Sequence, residues 1–213
     1  MTNKLINFAG WSIVLAASLY FVFHNAIHYF SYDAKSYGAE YWPTYASILL
    51  THITFGLIAL LIGPFQFIAT FRKKYPQAHR TMGKIYLVSI ALAGSASLYL
   101  SIGKIIMAEK DIVFGTGLLG LALAWLLTSS MAYWAIRCRN FVQHREWMVR
   151  SFVVTCGFTS FRLIFRLLVD QLHVDPAMAG NTMAWACWAF PLLVTEGFLQ
   201  GIKIKRGRVA PAA

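Results

Sequence analysis

Residues His52–Phe67 read HITFGLIALLIGPFQF, with no Asp, Glu, Lys or Arg from end to end. With its flanks the run is long enough to cross a bilayer core, which needs about 20 mainly apolar residues. It also begins on a histidine, and an ionisable side chain inside a membrane helix is costly and rarely kept without a role. The next apolar segment opens on His79-Arg80-Thr81-Met82-Gly83, so each of two successive segments carries a glycine four residues after a histidine. Two histidines in the same H-x-x-x-G setting suggest paired axial ligands for a haem held between helices.

The rest of the chain agrees with that class. It has 213 residues, 58% hydrophobic and only 13% charged, and a mean hydropathy of +0.58, too apolar for an ordinary soluble domain. Six stretches approach or reach the spanning length: Phe8–Phe23, Tyr45–Phe71, His79–Ile102, Ile112–Ile136, Trp147–Asp170 and Asn181–Ile202. The expected fold is an all-α bundle of six transmembrane helices, one domain over residues 1–206 with a disordered tail over 207–213. The first stretch is the shortest and can extend through His24 to Phe30. Lys4 before an apolar run ending near Ala16-Ala17-Ser18 mimics a signal peptide. The run passes that point unbroken, so an uncleaved first helix is expected.

The net charge of +11 sorts by loop. Arg72, Lys73, Lys74, Arg80 and Lys84 gather in the second loop. Arg137, Arg139, Arg145 and Arg150 gather in the fourth, and Lys203, Lys205, Arg206 and Arg208 in the C-terminal tail. The acids Asp33, Glu40, Glu109, Asp111, Asp170 and Asp175 lie in or beside loops one, three and five. Positive loops stay cytoplasmic, which places both termini inside a cytoplasmic membrane. The basic balance then serves orientation and anionic lipid headgroups rather than nucleic acid. Cys138, Cys156 and Cys187 form no C-x-x-C pair and support neither a disulfide framework nor a zinc site.

A helix turns about 100° per residue, so faces follow from numbering. His52, Gly56, Ala59, Gly63, Gln66 and Thr70 share one stripe of the second span; His79, Gly83, Ile90, Gly94, Ser97 and Ser101 share one of the third. Small residues on a stripe admit close approach of a helix or a flat cofactor. By depth the histidines divide into an outer set (His24, His28, His52) and an inner set (His79, His144), with His173 in the last outer loop. His52 is either a ligand or a buried histidine bonded to a neighbouring backbone carbonyl. His79 and His144, each beside an arginine, are either ligands or contacts to lipid phosphate. His24 and His28 have metal-ligand spacing, but two ligands make no site. Arg162 and Arg166 either snorkel outward or neutralise haem propionates. Glu196 is the one acid deep in a span; its expected partner is Arg150 or Lys84, and Pro191 should kink its helix.

At HITFGLIALLIGPFQF, HRTMGKIYL and HREWMVRS the chain resembles the bacterial membrane family of domain of unknown function 2306, over roughly residues 45–170. It is more loosely similar to the b561-type transmembrane cytochromes, whose H-x-x-x-G, downstream Gln and second H-x-x-x-G find counterparts in His52, Gly56, Gln66, His79 and Gly83. Those cytochromes carry a histidine on each of four core helices, whereas the span Ile112–Ile136 has none. Histidines of the first or fifth span must fill in. The resemblance implies a haem b protein that moves electrons, with a quinone or other redox partner. Its ligands would be an outer pair (His52 with His24 or His28) and an inner pair (His79 with His144). The alternatives are a cofactor-free proton-coupled transporter lined by Glu196, His52 and Arg162, and a membrane assembly or scaffold protein.

Overall fold

A computed structural model describes residues 2–107 and 112–209, with side chains for 10–103 and 112–205. Glu109 and Asp111, the side chains of Lys4, Arg206 and Arg208, and the expected tail beyond residue 209 lie outside the described residues. All regular structure in the described residues is helical. Six helical segments are long and apolar enough to cross a membrane: Gly10–Ser31, Ala46–Phe67, Pro76–Gly103, Ile112–Arg137, Phe141–Gln171 and Pro176–Lys205.

The first span is α1 (Thr2–Phe21), prolonged by a π turn at Val22–Ala26 and a 3-10 turn at Ile27–Ser31. The short helix α2 (Ala34–Tyr41) follows. It starts where Asp33 Oδ1 accepts the Ser36 N–H at 2.8 Å, a bond that holds the Asp33 carboxyl below its usual range. Tyr29, Tyr32, Tyr37 and Trp42 close this end with ring centroids 5.3–6.0 Å apart.

The second span is α3 (Ala46–Phe67). It stops short of Phe71 because Ile68 leaves helical geometry at ψ 108°. The cations Arg72, Lys73 and Lys74 follow on the separate helix α4 (Ala69–Lys74). Proline opens α5 (Pro76–Met107), a position where its missing N–H costs nothing. The fourth span is α6 (Ile112–Arg137). The fifth is α7 (Phe141–Thr155), a break at Cys156, α8 (Gly157–Arg166) and a π turn at Leu167–Gln171. It begins before Trp147 because Asn140 caps it, its Oδ1 accepting the Gln143 N–H at 3.1 Å. His144 is thereby inside the span. The sixth, α9 (Pro176–Val209), continues through Pro191 as one helix.

α5 packs on α3 and α6, and α6 also packs on α7 and α9, so these two helices form the centre. The first span lies at the edge, against α3 and α8. Close approach depends on missing side chains. A Cβ on Gly117 would sit 2.9 Å from the Ala184 carbonyl carbon, and one on Gly94 would sit 2.6 Å from Leu126 Cδ2.

The centre is also polar. Tyr86, on α5, is fully buried. Its hydroxyl lies 2.9 Å from Ser151 Oγ and 3.0 Å from Thr155 Oγ1, both on α7. Trp125 Nε1–H, from α6, donates to Thr155 Oγ1 at 2.8 Å, and Ser129 Oγ is 2.8 Å from Ser151 Oγ. Thr155 and Ser129 spend their own protons on the carbonyls of Ser151 and Trp125, at 2.9 and 2.7 Å. Every donor therefore has an acceptor, and the network ends on backbone at two points. That closure makes it a clamp across α5, α6 and α7 rather than an open relay.

The glycine contacts give a paired prediction. Gly117→Ala has to displace the Ala184 backbone and should cost about 1–3 kcal/mol. Gly197→Ala, where nothing lies within 4 Å, should be neutral or slightly stabilising. Thermal unfolding of both variants in one detergent checks the contrast.

Candidate functional site

His52 lies on the second turn of α3, and its Nδ1 is 3.0 Å from the Ala93 carbonyl oxygen of α5. A carbonyl only accepts, so Nδ1 carries a proton, and in the neutral form of the ring the lone pair is then at Nε2. Trp125 and Phe158 meet the ring edge-on, at centroid distances of 6.2 and 5.9 Å. His144, on the second turn of α7, has the same arrangement, with Nδ1 2.8 Å from the Ala132 carbonyl of α6. Metal-binding histidines are commonly oriented in this way by a carbonyl on the second nitrogen. The same bond also suits a histidine with a purely structural role.

The histidine-free span enters here. Trp125, Ser129 and Ala132 fall on one face of α6. They flank His52, join the hydroxyl network and orient His144, respectively. Sequence reasoning left α6 without a function because it looked for ligands, and the groups that position ligands are tryptophan, serine and a backbone carbonyl.

The other outer candidates have different neighbours. His24 donates from Nδ1 to the Tyr20 carbonyl at 3.1 Å and stacks on the Tyr20 ring. His28 lies against Tyr29, and both histidines are exposed on the first span. Among the described residues no hydrogen bond or ring contact joins either of them to His52. Arg166 donates to Tyr20 Oη at 2.8 Å and to Asn25 Oδ1 at 3.3 Å, tying α8 to the first span. Arg162 is one turn beyond Phe158, its guanidinium 5.8 Å from the Phe161 ring centroid. It also bears on Tyr41, whose phenol is pushed up by burial and pulled back by this cation. His173 sits in the loop before α9 with φ 53°.

The glycine stripe of α3 departs from expectation. The sequence leads one to expect room for a macrocycle along it, and at Gly63 the Phe152 ring occupies that room. A Cβ on Gly63 would collide with the Phe152 ring, whereas one on Gly56 would meet the Trp125 indole at an ordinary contact distance of 3.8 Å. The groove of about 490 Å³ between α6 and α9, lined by Val113, Asn181, Trp185 and Phe190, contains none of the histidines.

The basic end of the bundle is different. Gln66, only 5% exposed, places Oε1 3.4 Å from where a Cβ of Gly83 would be. The second H-x-x-x-G glycine thus makes room for the amide of Gln66. Gln66 Nε2 and His79 Nδ1 are both buried without a hydrogen-bond partner, an arrangement uncommon in native interiors. Arg72, His144 and Arg80 all lie close enough to bear on the charge of His79. This end therefore combines two imidazoles from α5 and α7, two unmatched buried polar atoms and a set of cations. The donor set fits a haem or another group that binds imidazole.

Glu196 pairs with Arg150, whose Nε donates to Glu196 Oε2 at 2.8 Å; Lys84 is not the partner in this bond. Beside them Lys203 Nζ meets Glu146 Oε2 at 2.6 Å, and the Arg150 guanidinium lies 4.6 Å from the Trp147 ring centroid. These contacts join α7 to α9. Glu146 was missed in a basic segment, although its i,i+4 spacing from Arg150 was a legible signal.

The family model described as "Predicted membrane protein (DUF2306)" matches residues 49–199, which include α5, α6 and α7 and the candidate residues of the basic end. No curated protein and no solved structure matches the chain.

Proposed function

The chain belongs to the DUF2306 family of membrane proteins, and from that premise we propose that it is a b-type haem protein of the cytoplasmic membrane. It would take one haem at its basic end, between His79 of α5 and His144 of α7, and pass single electrons to or from a membrane partner such as a quinone. The observation that carries this reading is the state of the imidazoles at that end. His144 is oriented by the Ala132 carbonyl with Nε2 left over, and His79 has a buried nitrogen with no partner. Bound there, a haem supplies reversible one-electron chemistry.

The chain's own contribution is to position and shield. The Tyr86 clamp keeps α5 and α7 in register. The Arg150–Glu196 pair fastens α9 against α7, and Arg72 and Arg80 supply positive charge. Loss of two positive charges near a redox centre lowers its potential, because cations favour the electron-rich state. The outer imidazole, His52, is not a ligand in this reading. At Gly63 the α3 stripe beside it is occupied by the Phe152 ring.

A reduced-minus-oxidised spectrum of the purified protein tests the proposal. Wild type should show the sharp bands of a bis-imidazole haem. His79→Ala and His144→Ala should abolish or broaden them, while His24→Ala, His28→Ala, His52→Ala and His173→Ala should not. A colourless wild type, even after expression with added haem, removes the haem and leaves the cofactor-free transporter in front. Loss of the bands in His52→Ala alone moves the haem to the other end.

Orientation follows from 14 of 19 basic residues lying at one end of the bundle by sequence. Single cysteines at the positions of Lys73, Arg139 and Lys205 should resist membrane-impermeant thiol reagents applied outside the cell. Labelling at Lys73 or Lys205 reverses the assignment.

A further inference from the structure

His52 and His144 each satisfy Nδ1 with a main-chain carbonyl from a neighbouring helix, whereas His79 has a buried Nδ1 and no acceptor for it. We propose that the start of α5, where Gln66 and His79 lie with the exposed cations Arg72 and Arg80 nearby, binds an oxyanion: the phosphate of an anionic lipid headgroup or free phosphate.

Three independent features converge on an acceptor of negative charge. The Gln66 side chain is 5% exposed, and its Nε2, a pure donor, has no partner. Its amide fills the space over Gly83, one turn into the helix from His79, so the unmatched donor and the unmatched imidazole lie together at the start of α5. The charged neighbours that bear on His79 are Arg72 and Arg80, with His144 beside them and no carboxylate among them. The first turn of α5, at the same place, contains no acidic residue; Pro76 has no N–H and the His79 N–H is donated to the Tyr75 carbonyl at 3.0 Å, so the main-chain donors that remain there are those of Gln77 and Ala78. Gln66 Nε2, His79 Nδ1 and two cations gather here without a carboxylate. A phosphate oxygen could accept from Gln66 Nε2–H and His79 Nδ1–H together, while the two guanidinium groups compensate its charge.

The consequence for His79 is specific. With Nδ1–H donated to the oxyanion, the lone pair stays on Nε2, the same state that Ala93 imposes on His52 and Ala132 imposes on His144. Two of the three imidazoles would then be oriented by backbone and the third by a bound ligand. The inference does not require the haem, but it would make any group held by His79 sensitive to the anion.

The test uses the full-length protein in an uncharged detergent. Its unfolding midpoint is followed with added phosphatidylglycerol, phosphatidylcholine or inorganic phosphate. Phosphatidylglycerol or inorganic phosphate should raise the wild-type midpoint by about 5 °C near saturation, and phosphatidylcholine should not. A rise with phosphatidylglycerol alone identifies a lipid source, and a rise with inorganic phosphate identifies a soluble one. Arg80→Gln, on an exposed residue and so safe for folding, should abolish the shift, as should Gln66→Leu. Lys73→Gln, an exposed cation nearby, should retain it. The proposal is overturned if neither ligand shifts the wild type or if Arg80→Gln shifts as far as wild type. It is equally overturned if Lys73→Gln loses the shift as completely as Arg80→Gln, since the effect would then be diffuse charge.

Discussion

Tyr86, Trp125, Ser129, Ser151 and Thr155 exchange hydrogen bonds inside the bundle, and the positions of both interior histidine sites follow from them. In hydrocarbon an unpaired hydroxyl or indole N–H finds no water to replace a lost partner. The five side chains consequently fix the rotation of α5, α6 and α7 about their axes. Individual bonds of this kind in membrane proteins average about 0.6 kcal/mol, so the network matters less as bulk stability than as a specification of register. Rotating α6 by one residue would withdraw Trp125 from His52, Ser129 from Ser151 and the Ala132 carbonyl from His144 at once.

That coupling explains an apparent defect. A four-helix haem protein with a histidine on each core helix would find α6 deficient, yet α6 touches both imidazole sites. It supplies an aromatic wall to one and a carbonyl acceptor to the other. The two ends then diverge. At the end opposite the basic one, Trp125 and Phe158 meet His52 edge-on, and Thr159 Oγ1, next to Phe158 on α8, is a buried atom without a partner. At the basic end, polar atoms outnumber their partners, and buried polar groups without partners are where a ligand gains most by binding.

Much of the fold was legible because a bilayer makes unusually strong demands on sequence. Length, apolarity and the segregation of Arg72–Lys74, Arg137–Arg145 and Lys203–Lys205 from Asp33, Asp170 and Asp175 carry both the six spans and an orientation hypothesis. Boundaries were less legible. The start of the fifth span depends on an Asn140 cap, and the end of the second on a single backbone torsion at Ile68. Depth narrowed the partner of Glu196 to Arg150 or Lys84, and the bond is to Arg150. The use of the glycines was not legible, because a stripe of small residues reads the same whether the incoming group is a cofactor or a ring. Gly63 receives Phe152, Gly56 receives Trp125 and Gly83 receives Gln66. The Tyr86 network escaped for a related reason: serine, threonine and tyrosine are ordinary in apolar helices, and only their convergence distinguishes these from others.

The central claim is that backbone carbonyls of neighbouring helices hold the His52 and His144 imidazoles with Nδ1 as the donor. Nitrogen-15 NMR of histidine-labelled protein in lipid measures this directly, with His52→Gln and His144→Gln variants assigning the signals. In the cofactor-free protein the account predicts neutral rings at both positions, protonated on Nδ1, with an unprotonated Nε2. A ring at either position protonated on Nε2, or exchanging freely between the two forms, would contradict it.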